Sequence, residues 1–244
     1  MLELQENEEL ISDNIHIIGD VHTQTIIDAI DLKVEGTTHA GSTQYVKNAT
    51  IFTHQGLLRC HNANVTLLDG GEIHASHAVI DTCKSGSIYA QSVKIKNLNS
   101  NIKVCASKFI IIEHIHGLNN VLTIDYKQVP ILISKLELIN EDVEDLEKLL
   151  LQAQEENLDT QDDIEDELKH LKNEEKEIKN SVHSAKISIT KKIMKANVLS
   201  FVTQEDQVIS YTPEQNQEYK PFSLEFTKDF LILHPVNLKT LRTI

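Results

Sequence analysis

Gly71-Glu72-Ile73-His74-Ala75 and Gly86-Ser87-Ile88-Tyr89-Ala90 are two copies of one pattern, a glycine followed by apolar side chains at every second position. That alternation is the period of a half-buried strand, whose successive side chains point to opposite faces. The copies start 15 residues apart, and the interval continues outward. Gly41, Gly56, Gly71 and Gly86 all fall on it, and Asn101 takes the next place. Asn is the best substitute for Gly where φ is positive, so these positions read as one column of turns. Other columns keep the same step: Val65, Ile80, Ile95 and Ile110; Cys60, Ala75, Ala90 and Cys105. Leu58, Ile73 and Ile88 form a third, which breaks at Lys103 with Ile102 nearby, so a one-residue slip is expected there. Ile15 and Ile17 map onto Ile30 and Leu32 at the same step. Short strands at a fixed period, each closed by a turn residue, predict a single-stranded parallel β-helix in which like residues stack over like. About seven coils of 15 residues fit between Ile15 and Ile124. A β-sandwich gives no reason for turn residues at equal intervals.

Downstream the pattern changes. Residues 130–193 hold no Gly, and no Pro after Pro130, but many Leu, Glu and Lys. Leu132, Leu136, Ile139, Val143, Leu146, Leu150 and Ala153 keep a 3-4 apolar spacing. Ile164, Leu168, Leu171, Ile178, Val182, Ala185 and Ile189 repeat it, with Glu175 as the one charged exception. Each series is the seam of an amphipathic helix. The registers do not join across residues 156–160, and Thr160 with Asp163 has the spacing of a capping box. A turn there folds the two helices into an antiparallel hairpin. From Asn197 onward come three of the four prolines and six of the eleven Phe and Tyr residues. The apolar runs Leu199 to Val202, Val208 to Tyr211, Phe222 to Phe226 and Phe230 to Leu233 read as a small meander covering the open end of the β-helix or the base of the hairpin. The expected fold is thus mainly β with a helical insertion: a cap or disordered segment over 1–14, a parallel β-helix over 15–129, an antiparallel two-helix coiled coil over 130–196 and a small β-rich tail over 197–244.

Charge is divided as unevenly as glycine. The chain carries a formal net charge of −14, and residues 135–186 hold 17 acids against 7 bases, while residues 15–124 hold 8 of each. An acidic rod on a neutral β-helix argues against nucleic acid or an anionic membrane as the main partner. It points to a basic protein surface, with the outer acids Glu144, Asp145, Asp162, Asp163, Glu165 and Asp166 as candidate contacts. No run approaches the roughly 20 apolar residues of a membrane span. The N-terminal residues lack the basic and apolar regions of a signal peptide. Cys60, Cys83 and Cys105 have no metal-binding spacing, which suits thiols packed as small apolar groups in a reducing cytoplasm.

The G-x-[IV]-x-[AV] pattern of residues 71–75 and 86–90 has a weaker copy in Ile17-Ile18-Gly19-Asp20-Val21, and it runs straight into the acidic Leu-rich hairpin. In this the chain resembles the FapA (flagellar assembly protein A) family of bacteria, over the β-helix and coiled-coil-hairpin region only, about residues 15–193. The resemblance implies a right-handed, polymer-like β-helix, a cytoplasmic location and a link to flagellar assembly. It brings no catalytic residue and no cofactor.

Histidines are the remaining candidates for chemistry. His39 and His54 share the 15-residue step with Asp69, Lys84, Asn99 and His114. The column reads as solvent-facing and polar; alternatively His39, His54 and Asp69 are metal ligands brought together by coils roughly 4.8 Å apart. His114 and His116, two apart in a strand, are expected on one face. No nucleophile elbow, phosphate loop, dinucleotide fingerprint or H-E-x-x-H is present. The reading is a non-enzymatic scaffold that binds a protein partner and is able to self-associate. The alternatives are a left-handed β-helix enzyme of the acyltransferase or carbonic-anhydrase kind, a His-cluster metal protein, and a bactofilin-like filament former.

Overall fold

A computed structural model describes residues 8–156, 160–218, 221–227 and 230–235. Five strands build most of a parallel solenoid of about seven coils: β1 (Glu9–Ile17), β2 (Ile26–Thr38), β3 (Thr43–His54), the long winding β4 (Leu57–Leu98) and β5 (Lys103–Ile115). The first strand starts ahead of Ile15, and the part of the expected N-terminal cap before residue 8 lies outside the described residues. Three sets of side chains point inward. Ile27, Leu58, Ile73, Ile88, Val104 and Leu122 line one wall, Val34, Ile51, Val65, Ile80, Ile95 and Ile112 a second, Leu68, Cys83, Leu98 and Ile115 a third, and all are at most 2 % exposed. Each fully buried Ile or Leu contributes roughly 1.5–3 kcal/mol relative to leaving it in water. Stacking of like on like is what makes so narrow a core dense.

The step between coils is not constant. Glu9 faces Ile26 and Ile26 faces Thr43, steps of 17; Thr43 faces Leu57, a step of 14. Within β4 the Glu72 N–H donates to the Gly56 carbonyl, which fixes the step there at 15. Ser87 then faces Lys103 at a step of 16, Lys103 faces Val121 at 18, and a bulge between them sets Gln91 against both Ser107 and Lys108. The slip expected at Lys103 is present, but it brings Val104, not Ile102, under Ile88. It also moves two expected column members. Ile95 stacks on Ile112 rather than Ile110, and Ala90 stacks on Ala106 rather than Cys105. At the other end Ile15 and Ile17 lie against Leu32 and Val34, so Ile30 is left facing solvent. Corner steps one residue shorter to three residues longer than 15, and the bulge inside β5, are absorbed without changing which face a strand buries, and a fixed interval read from the middle coils does not see them.

The turn column therefore divides in two. Gly56, Gly71 and Gly86 share an inward-facing corner position with Thr25, Ser42, Ile102, Asn120 and Asn197. Gly41 and Asn101 precede that position by one, with φ of 87° and 60°. Of the inner three, only Gly86 has positive φ, at 114°. Gly71 is instead required by space: a Cβ there would stand 2.8 Å from His54 Cδ2 and 2.9 Å from the Gly56 carbonyl oxygen. At the last two coils buried asparagines replace glycine. Asn120 Oδ1 accepts from the Ile102 N–H at 2.9 Å, and Asn197 Oδ1 accepts from both nitrogens of Asn120. Asn197 Nδ2 donates to the carbonyls of Gly117 and Met194, so the corner is closed by amides instead of by close backbone approach.

After β6 (Val121–Ile124) and a short 3-10 turn the chain leaves the solenoid as α1 (Pro130–Glu156) and returns as α2 (Gln161–Lys179). The seam residues of both series, Leu132 to Ala153 and Ile164 to Ile178, are buried or half-buried. Thr160 occupies the N-cap of α2 but its side chain makes no capping bond, and residues 157–159 of the expected turn lie outside the described residues. The second seam stops sooner than its spacing suggests. Asn180 ends the helix, and Ser181–Ser184 form a 3-10 turn. Lys186–Ile193 are strand β7, parallel to β5, with Phe109 against Lys186. Ile187 and Ile189 satisfy a period of two as well as a helical spacing, and the open ladder of β5 decides between them. The hairpin is therefore spliced between two walls of one coil, β6 before it and β7 after it.

Beyond β7, β8 (Val198–Val202) stacks in parallel on β6, and β9 (Val208–Tyr211) pairs antiparallel with β8. β10 (Gln217–Glu218) and β11 (Phe222–Thr227) pair antiparallel with β7, and β12 (Phe230–Pro235) pairs with β11. This antiparallel cover places Phe201, Phe222, Leu224 and Phe226 over the C-terminal end of the solenoid core. The last expected stretch, 236–244, lies outside the described residues.

Candidate functional site

The hairpin is the feature that departs most from the solenoid. At 1.5 Å per residue the 27 residues of α1 span roughly 40 Å. Its two helices hold each other through the seam and through two interhelical ion pairs, Lys135 with Glu174 and Lys172 with Glu147, the latter at 2.7 Å. Gln161 Nε2 donates to the Ala153 carbonyl at 2.9 Å near the far end. Glu144, Asp145, Asp162, Asp163, Glu165 and Asp166 are all exposed. Asp145 pairs with Lys148 at 2.9 Å, and the other five form no ion pair among the described residues. Asp162 and Asp163 sit in the first turn of α2, where a carboxylate also offsets the positive end of the helix dipole.

The arm also exposes apolar surface that its own seam does not use. Leu138 and Leu149 are 61 % and 50 % exposed. With Asp142 and Asp145 between them, the spacing is 4, 3 and 4, which places all four along one side of α1. Leu151, 63 % exposed, lies on another side. Neither leucine of the stripe was marked out by the seam pattern; the signal was that they are apolar residues off the seam.

The histidine column does not exist as the 15-residue step implies. His54 lies opposite Thr38 on one coil and Leu68 on the other, in a column that is buried throughout. Its Nε2 donates to the Glu72 carbonyl at 3.2 Å, which leaves Nδ1 to accept from the Thr38 hydroxyl at 2.6 Å. Burial holds its pKa down at about 4. His39 belongs elsewhere: its Nε2 is 3.4 Å from Asp20 Oδ2, and its ring stacks on His22. Asp69 accepts from Ser85 Oγ. The three do not converge, and among the described residues no group of three or more His, Cys, Asp or Glu side chains is placed to hold a metal. His114 and His116 do meet, as stacked rings 5.3 Å apart.

The cysteines are unpaired and buried, but they occupy different faces. Cys60 and Cys83 point into the solenoid core. Cys105 points outward into a second cluster with Tyr126, Val129 and Leu132 under the root of α1, and its Sγ donates to the Asp125 carbonyl. Burial pushes all three thiols up to about 12. The thiolate is the reactive form, so at pH 8 the native protein is expected to resist iodoacetamide and to take up three equivalents only after denaturation. Rapid labelling of any cysteine in native protein, read by mass, would contradict this packing.

Comparison with protein-family models, curated proteins and solved structures finds no match. Among the described residues, no helix is long and apolar enough to cross a membrane.

Proposed function

We propose that the protein is a non-enzymatic scaffold whose acidic arm docks a basic protein partner, while the solenoid serves as its rigid mount. In the setting that the FapA-like resemblance implies, it is a bacterial cytoplasmic protein that assists the assembly or placement of flagella. The observation that carries the docking reading is the Leu138–Asp142–Asp145–Leu149 stripe. It combines two exposed leucines with Asp142, which forms no ion pair among the described residues, and Asp145, whose partner Lys148 is itself exposed on the same helix. A basic partner with an apolar centre fits that chemistry, since complementary charge sets the encounter rate and buried apolar anchors hold the complex.

The test separates the arm from its mount. Residues 136–175 are replaced by a short Gly-Ser linker, which spares β7 and leaves every strand intact. Intact and shortened chains are compared as baits, and proteins retained by the intact chain are then measured individually. The expected outcome is a partner that binds the intact chain and loses more than ~tenfold in affinity, about 1.4 kcal/mol, on the shortened one. Reversing Glu144, Glu165 and Asp166 to Lys is expected to weaken binding and flatten its salt dependence. The melting temperature should hardly move, because exposed charges contribute little to folding. Asp162 and Asp163 are left unchanged in that variant because of their place at the start of α2. A partner held equally by the shortened chain overturns the reading.

A further inference from the structure

Where the arm joins the solenoid, the two flank a half-open cavity of about 620 Å³. Its size is within the range of small-molecule pockets. The solenoid wall of this cavity is made by the β-bulge of β5. Because Gln91 alone opposes Ser107 and Lys108, the bulge swings both of these toward the arm rather than into the ladder. Bulges commonly re-aim side chains in this way beside binding sites. The opposite wall is the root of α1 and the end of α2 with the turn that follows it, which contribute Leu132, Ile178 and Ser181.

Two polar groups in this lining are unsatisfied. Ser107 is wholly buried, and its hydroxyl has no hydrogen-bond partner among the described residues. The buried hydroxyl of Ser181 has none either, although Ser184 beside it is committed to the Ser181 carbonyl. Unpaired buried hydroxyls are costly, and of the five buried side-chain atoms left without a partner among the described residues, two line this one cavity. The charges are unbalanced as well. Lys135 and Glu174 neutralise each other across the helices. Lys108 and Lys186 form no ion pair among the described residues, and Glu225, opposite Lys186 on β11, is turned to His234. Against these two ammonium groups stands Glu177 alone. In a chain of net charge −14, the root of its most acidic element is thus lined by a surplus cation.

We propose that this junction binds a small organic monoanion, a carboxylate on a short apolar body. The carboxylate takes the Ser107 and Ser181 hydroxyls as donors, with Lys108 and Lys186 as counter-charges, and the apolar body lies between Phe109, Leu132 and Ile178. A monoanion matches the single positive remainder, and the apolar walls distinguish it from free phosphate. Since the lining comes from both helices and from β5 and β7, occupancy ties the arm to its mount. The assignment does not depend on what the arm itself docks.

Titration of the full chain with sodium hexanoate, followed by calorimetry and by melting temperature, tests the site, with hexanol and inorganic phosphate as parallel arms. Hexanoate is expected to bind saturably below ~5 mM and to raise the melting temperature, and hexanol to bind at least ~tenfold more weakly. Ser107→Ala is the discriminating variant. It removes an unpaired buried hydroxyl, so the free protein should melt no lower than before, while its hexanoate affinity falls several-fold. A merely structural serine would show the reverse. Lys108→Gln with Lys186→Gln, the first exposed and the second half-buried, should abolish binding with the fold intact by circular dichroism. The proposal is overturned by absence of saturable hexanoate binding, by equal binding of hexanol, by unchanged affinity in the double lysine variant, or by phosphate binding where hexanoate does not.

Discussion

Gly86→Val is expected to destabilise the protein by roughly 3 kcal/mol or more, and Gly86→Asn by nearly as much. Two costs act together at this position. The backbone has φ of 114°, which L side chains rarely adopt, and an added Cβ would stand 2.3 Å from the Gly71 carbonyl oxygen. That oxygen is on the neighbouring coil, so relief of the contact requires separating two coils that the ladder holds together. Asn tolerates φ near 60° but does nothing for the contact. Gly41 is the control. Its φ is 87°, yet the nearest atom to an added Cβ is 3.8 Å away, so Gly41→Asn should cost within about 1 kcal/mol. Urea unfolding of the three variants measures the contrast. Equal losses at Gly86 and Gly41 would mean that φ alone, not the approach of the coils, governs the corner.

Acidification is expected to weaken the fold through His54. Its pKa is about 4 in the folded protein, against an ordinary 6.5, because burial disfavours the imidazolium. The groups packed on it are the Thr38 hydroxyl, the backbone of Gly56, Gly71 and Glu72, and Leu68; among the described residues no carboxylate pairs with the ring. With the folded value depressed, the unfolded chain binds the extra proton between the two values. Stability is therefore whole above about pH 6.5 and is lost as pH falls towards 4, by ~3 kcal/mol at that point. Other groups titrate over the same range, so the measurement is a comparison. The drop in unfolding free energy from pH 7 to pH 4 should be smaller by about that amount in His54→Leu, which matches the Leu68 of its own column. At pH 7 the variant leaves the Thr38 hydroxyl unpaired, a cost of roughly 1–3 kcal/mol that does not change with pH. Identical pH dependence in the two proteins would show that His54 is not the buried titrating group.

The sequence by itself determined the kind of fold and the faces of most elements. Alternation in Gly71 to Ala75 and Gly86 to Ala90 specifies strands, because period two is set by the pleat itself. The 3-4 spacing from Leu132 to Ala153 specifies a helix for the same local reason. Exposure of Glu144 and Asp166 follows from their places off the seam. Which residues stack on which was legible only in the middle coils, where the step is 15. Changes of step at corners and bulges within strands are invisible to a fixed interval, and they decided that Cys105 faces the arm, that Ile112 rather than Ile110 continues the Ile95 column, and that His54 is in the core. The fate of Lys186–Ile193 was likewise decided by tertiary structure. Its sequence suits a helical seam and a strand alike, and the unpaired edge of β5 offered hydrogen bonds that a longer helix would have left unmade. The junction cavity lies furthest from the sequence: Ser107, Lys108, Ser181 and Lys186 carry no shared motif, and only a bulge in one strand and a turn after one helix bring them to the same place.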